Sequence, residues 1–209
     1  MPAEILNIHY KTPETNKVEK VVEALKAGSV ILYPTDSGFS LGCDLSKKNA
    51  IEKIRQIRNL PKSKSMTFLC DSLSNISEFA KVENEAYRTI KRLIPGTYTF
   101  ILPASKNVPK YAQDPKKATA GIRVPDHAIA QALLKELGHP IISISAKSDD
   151  NVHTSPEDII EQYVKLVDIV VTCDDYHFHG ESTIIDMTDE IPKILREGAG
   201  IEKAREYID

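Results

Sequence analysis

Hydroxyl and cationic side chains gather where short apolar runs of this sequence stop. Four places stand out: Pro34-Thr35-Asp36-Ser37 after the run Ser29 to Tyr33, Arg123 inside Gly121-Ile122-Arg123-Val124-Pro125, the pair Ser143 and Ser145 followed by Lys147, and Arg196-Glu197-Gly198. Open α/β sheets bind ligands in the crevice beyond their strand ends, so polar residues at such ends are candidates for a binding site. Ser143, Ser145 and Lys147 stand at i, i+2 and i+4, which puts two hydroxyls and an ammonium on one face of an extended segment, able to converge on one anion. A solvated strand face has the same spacing. The familiar phosphate and nucleophile motifs are missing: there is no G-x-x-x-x-G-K-[ST], no G-x-G-x-x-G after the first strand and no G-x-S-x-G. His177-Phe178-His179 beside Asp174-Asp175 offers two imidazoles but no third ligand by spacing, so the pair is read as a polar loop and no metal site is expected.

Composition narrows the class. The chain has 209 residues, 41% hydrophobic and 27% charged, an ordinary globular balance that excludes disordered, collagenous and low-complexity classes. No apolar run reaches the roughly 18 residues of a membrane span, and the first residues lack the basic and apolar regions of a signal peptide. A cytoplasmic protein with no membrane partner is expected. Cys43, Cys70 and Cys173 are far apart and form no CxxC pair, which favours buried thiols over disulfides or a zinc ribbon. The net charge of -3 hides a segregation. Lys47 to Arg123 holds 16 Lys or Arg against 6 Asp or Glu, while Ser148 to Asp209 holds 5 against 16. A basic middle segment could attract phosphates or nucleic acid, or form solvated helix faces, depending on how folding arranges it.

The elements that must position these residues alternate between helical and extended periodicity. Val18, Val21, Val22 and Leu25 mark a helix entered at Thr12-Pro13-Glu14 and stopped by Gly28, ahead of the strand Ser29 to Tyr33 and a loop Thr35 to Gly38. A helix with Ala50, Ile51, Ile54 and Ile57 inward and Arg55 outward ends at Pro61. Strand Met66 to Cys70, helix Glu83 to Ile94 with Ala86, Tyr87, Ile90 and Leu93 inward, the turn Pro95-Gly96 and strand Tyr98 to Leu102 follow. Pro103 to Lys117 reads as an irregular loop able to act as a lid. After it come strand Gly121 to Val124, a helix capped by Asp126 and stopped by Gly138, strand Ile141 to Ser145, and later strands at 168–172, 183–187 and 193–196. The interleaving specifies one α/β domain, residues 1–209, with a mixed sheet: long helical crossovers favour parallel pairing and the short links near the C-terminus antiparallel.

The motifs Tyr33-Pro34-Thr35-Asp36-Ser37, Leu41-Gly42-Cys43-Asp44, Ile57-Arg58-Asn59-Leu60-Pro61, Pro95-Gly96-Thr97-Tyr98-Thr99-Phe100, Arg123-Val124-Pro125, Ser143-Ile144-Ser145-Ala146, Ser182-Thr183-Ile184-Ile185-Asp186 and Arg196-Glu197-Gly198 occur in an order that resembles the YrdC/YciO family. The resemblance spans nearly the whole chain and is nearest to the YciO branch. It implies a YrdC-like α/β twist: a mixed, twisted sheet flanked by helices around a concave basic groove that holds ATP, with accompanying Mg2+, beside a threonine pocket. It also implies threonylcarbamoyl-AMP synthesis from L-threonine, bicarbonate and ATP, with pyrophosphate released, in the service of tRNA modification; family members are also described as binding double-stranded RNA and tRNA. Carried over residue by residue, Thr35 lines the threonine pocket, and Arg123 holds its carboxylate or a phosphate. Ser143 and Ser145 contact nucleotide and carbamate, Ser182 and Thr183 line the nucleotide side, and Arg196 reaches phosphates or adenosine. Two positions depart. The synthases' Lys-x-Arg is here Arg58-Asn59-Leu60, keeping one cation, and their Ser-x-Asn is Ser145-Ala146-Lys147, where a donor-only ammonium replaces an amide. Three readings stay open: an altered synthase, an enzyme acting on a related adenylate such as threonylcarbamoyl-AMP, and a non-catalytic RNA- or partner-binding protein.

Overall fold

The computed structural model describes residues 2–61, 64–114, 116–146 and 155–208. Its described strands are β1 (Glu4–Asn7), β2 (Ile31–Thr35), β3 (Gly38–Asp44), β4 (Thr67–Leu69), β5 (Tyr98–Pro103), β6 (Thr119–Arg123), β7 (Ile141–Ser145), β8 (Ile169–Thr172), β9 (Thr183–Asp186) and β10 (Lys193–Arg196). They form one sheet in the order β1-β8-β2-β3-β7-β4-β6-β5-β9-β10. Pairing is mixed, as the connection lengths require: β1 and β2 run parallel to β8, β4 to β6 and β5 to β9, and the remaining neighbours are antiparallel. The described helices are α1 (Thr15–Ala27), α2 (Lys48–Ile57), α3 (Leu73–Phe79), α4 (Asn84–Leu93), α5 (Ala128–Leu137), α6 (Pro156–Tyr163) and α7 (Ile201–Ile208).

Side chains alternate across each strand, and the two faces are buried by different helices. Leu32, Leu41, Phe68, Phe100, Ile122, Ile142 and Ile185 pack under α2, α3, α4, α6 and α7. Ile31, Tyr33, Leu69, Ile141 and Ile169 of the other face pack under α1 and α5.

The first helix, its Gly28 stop in the left-handed region (φ 98) and the Gly138 stop of α5 agree with the sequence reading. Several expectations are corrected. The run Thr35 to Gly38 is no open loop: β2 starts at Ile31, continues through Pro34 to Thr35, and turns tightly into β3. Pro34 is tolerated because β8 pairs with β2 only at Ile31 and Leu32, leaving Pro34 where no ladder donor is needed. The cap of α5 is His127, whose Nδ1 accepts from the Ala130 backbone N–H at 3.5 Å, and not Asp126. Tyr87 is exposed on α4, whereas Arg55 turns inward, donating to the carbonyls of Pro61 and Lys64 at 3.1 and 2.8 Å. The segment after β5 is tied down, with a 3-10 turn at Lys110–Ala112, buried Val108 and Ala112, and Ser105 N–H bonded to Phe79 O. Strands β1 and β3 and helices α3, α6 and α7 were not specified by the pattern. The first of these is an edge strand with mostly exposed side chains, so it carries no alternation to read.

Candidate functional site

On the face shared with α1 and α5, a polar row replaces the apolar one. Register places Gly42, Ser143, Thr67, Gly121 and Ile101 side by side across β3, β7, β4, β6 and β5. Ser145 lies one pleat further along β7, opposite Ser40, and is exposed, Thr67 and Ile101 are half-buried, and Ser143 lies buried below them. The strip is therefore a shallow floor of hydroxyls with a glycine in the middle. A methyl at Gly121 would stand 3.3 Å from Ile101 Cδ1 and 4.0 Å from Thr67 Oγ1, so its absence lowers the floor between them. Ser143 accepts a hydrogen bond from Tyr33 Oη at 2.9 Å, and burial holds that phenol far above its ordinary pKa, so it remains a donor.

The β2–β3 turn is tied to β6 through Arg123, one pleat from Gly121. Arg123, at the end of β6, donates from Nη2 to Asp36 Oδ1 and from Nη1 to Ser37 Oγ, both at 2.5 Å, and from Nε to Gly96 O at 3.3 Å. Both Asp36 and Arg123 are buried. Thr35 Oγ1 donates to Gly38 O at 2.8 Å and receives the Ser37 N–H at 3.2 Å, so its hydroxyl shapes the turn. The strand-end reading leaves Asp36 without a role of its own, although it is the residue on which Arg123 is anchored. The signal was available: a carboxylate in an apolar setting needs a cation, and Arg123 at a strand end is one. Beside this pair, His127 is buried and held neutral, its pKa pushed down to about 4 by desolvation against the opposing pull of Asp36. A cavity of about 460 Å³ adjoins the turn, bounded by Asp36, Gly96, Tyr98, Asp126, His179 and Lys203.

The other flank comes from β9 and β10. Arg196 forks onto Ser182, donating to its carbonyl from Nε at 3.0 Å and from Nη2 at 2.8 Å, and to its Oγ at 3.1 Å. The Ser182 hydroxyl also meets Thr99 Oγ1 at 2.9 Å. Thr183 is fully buried, donating to Ala199 O at 3.0 Å and receiving the Gly198 N–H at 3.1 Å, so its side chain secures the Glu197-Gly198-Ala199 segment. A Cβ at Gly198 would lie 2.4 Å from Glu181 O, which explains a glycine after Arg196-Glu197.

The end of α2 explains the loss of one cation. Leu60 N–H bonds Arg55 O and Asn59 N–H bonds Gln56 O, with Asn59 left-handed (φ 48), the pattern of a Schellman stop whose following residue packs back on the helix. That residue is Leu60, partly buried and packed against the main core. Arg58 donates from Nη1 to Tyr163 Oη at 3.2 Å. Lys147 lies outside the described residues. Of the cations in the basic segment, Arg55 is buried, Lys53 pairs with Asp168, Arg92 stacks on Tyr207 and Arg123 is locked on Asp36. Among the described residues no cluster of three His, Cys, Asp or Glu could hold a metal.

The family model Sua5/YciO/YrdC, described as telomere recombination, matches residues 23–198. YciO of Escherichia coli is 41% identical over 195 residues, covering 92% of this chain and 94% of that protein. A threonylcarbamoyl-AMP synthase of Vibrio vulnificus is 28% identical over 187 residues, covering 88% and 99%. The crystal structure of E. coli YciO superposes with a TM-score of 0.87 at 39% identity over 97% of this chain and 98% of that one. P. abyssi Sua5 complexed with L-threonine gives 0.87 at 27% identity over 98% of this chain and 61% of that one. By its motifs, its sheet and these matches, the chain belongs to the Sua5/YciO/YrdC family.

Proposed function

We propose that the hydroxyl strip and its two arginine-braced flanks bind an adenine nucleotide, either ATP with its Mg2+ beside threonine or threonylcarbamoyl-AMP itself. The observation that carries this is the row of Ser143, Thr67 and Gly121 on one face of the sheet, with Ser145 one pleat further along β7 and the Arg196 fork onto Ser182 on the flank. Hydroxyls suit the many acceptor oxygens of a phosphoanhydride and a carbamate, and a glycine floor lets a planar group approach the backbone. A similar protein is a threonylcarbamoyl-AMP synthase and another, P. abyssi Sua5, was solved with L-threonine, which supports including a threonyl group in this reading.

One specific observation favours processing of the adenylate over its efficient synthesis. With Leu60 packed partly buried against the core, one cation of the synthase pattern is absent, and Arg58 reaches to Tyr163. Removing a preorganised donor from a developing anion costs about 2.7 to 4 kcal/mol, so attack of a carbamate on the α-phosphate, with pyrophosphate leaving, is slowed far more than binding. The test presents the purified protein with ATP, Mg2+, threonine and bicarbonate in one arm and with threonylcarbamoyl-AMP in the other, followed by chromatography and mass analysis. Consumption of the adenylate with little synthesis supports the reading; rapid threonine-dependent synthesis assigns an altered synthase. Tight binding of double-stranded RNA or tRNA that falls steeply with salt, with no response to nucleotide, replaces both.

A further inference from the structure

The register of the sheet sets Gly42 directly between the strand that carries Tyr33 and the one that carries Ser143. Tyr33 lies two residues along β2 from Ile31, the partner of Gly42, and its ring leans over β3 to reach the next strand. A Cβ on Gly42 would stand 2.6 Å from Tyr33 Cε1 and 3.0 Å from Ile141 Cγ2. The glycine is therefore the groove in which the ring lies. At the far side the phenol donates to Ser143 Oγ at 2.9 Å. Once Ser143 Oγ accepts from Tyr33, its own hydrogen is directed to another acceptor, and the neighbouring row holds Thr67 and the Gly121 floor.

From this we infer that Tyr33, laid across Gly42, is a positioning residue that fixes the Ser143 hydroxyl as a donor, so that Ser143 and Thr67 form a subsite for an anionic oxygen rather than for an ammonium. The inference rests on the nucleotide-binding reading for its ligand and on geometry alone for its orientation. A phosphate or carbamate oxygen over Gly121 meets the hydroxyl ends of Ser143 and Thr67, and among the described residues that part of the row carries no carboxylate to favour a cation. An oriented hydroxyl also avoids the rotamer entropy that a free one loses on binding.

Calorimetric titration of ATP with Mg2+ into wild type, Tyr33→Phe, Ser143→Ala and the double variant tests it, with the Ser143 side-chain couplings measured by NMR in the first two. Tyr33→Phe keeps the ring and is expected to weaken binding by roughly 2- to 12-fold. In the Ser143→Ala background the same change is expected to have no further effect, and Ser143 is expected to occupy one rotamer in wild type and several in Tyr33→Phe. Additive losses in the double variant, unchanged affinity in Tyr33→Phe, or a single Ser143 rotamer in both proteins overturns the inference. A wild type that binds no nucleotide while Ser143 loses its single rotamer in Tyr33→Phe upholds the orientation and overturns the nucleotide reading instead.

Discussion

Lowering the pH from 7 to 4 is expected to weaken the fold through His127. Its ring is buried at the start of α5, Nδ1 accepts the Ala130 N–H, and Tyr10 packs edge-on at 5.0 Å. Burial is the largest cause of its lowered pKa; the carboxylate of Asp36 pulls the other way, and Arg123 and His177 add to the lowering. The folded value is about 4, against the ordinary 6.5. Between those values the unfolded chain binds a proton that the folded chain refuses, so stability rises with pH across that window and is lost as pH falls from 6.5 to about 4. At about 1.36 kcal/mol per unit, the loss amounts to roughly 3 kcal/mol. His127→Asn keeps an N-cap acceptor but removes the titration. Urea unfolding followed by circular dichroism at pH 7, 6, 5 and 4 should give a wild-type stability that falls about 3 kcal/mol further than that of the variant. Parallel curves for the two proteins would refute the argument, because the acid sensitivity would then belong to other groups.

Three other outcomes are expected. Asp36→Asn or Arg123→Met alone should destabilise by about 3 to 5 kcal/mol, since each leaves a buried partner charge, and the double variant should recover part of the loss in thermal melting. Gly42→Ala should cost about 1 to 3 kcal/mol in urea unfolding by forcing Tyr33 from its place, and much of that cost should vanish when Tyr33 is made smaller. Arg196→Lys should weaken binding of ATP with Mg2+, because an ammonium cannot reproduce the fork onto Ser182, and calorimetry at two salt concentrations separates this from general screening.

The strip itself was partly legible in the chain. Ser143 and Ser145 share a strand face by simple alternation with Ile142 and Ile144, and the strand ends at Thr35, Arg123 and Arg196 were visible from the breakers after them. Their roles were not. Thr183 and Thr35 look equivalent to Ser145 in sequence, yet both hydroxyls bond backbone of their own surroundings, while Ser145 faces outward. Composition also overstated the basic segment: Arg55 and Arg123 are interior, because each finds carbonyls or a carboxylate that satisfies a buried guanidinium.

Local sequence determined the helices with strong stripes and glycine stops, the mixed α/β class and the order of the motifs, since these depend on neighbours three to five residues apart. Tertiary structure decided which strands became neighbours. Only the register that sets Tyr33 and Ser143 on either side of Gly42, Thr67 beside Gly121, and Arg123 against Asp36 turns separated polar residues into one site. Those contacts join residues far apart in the chain, such as Asp36 and Arg123, and no local period records them, because pairing is settled by the burial of both sheet faces at once.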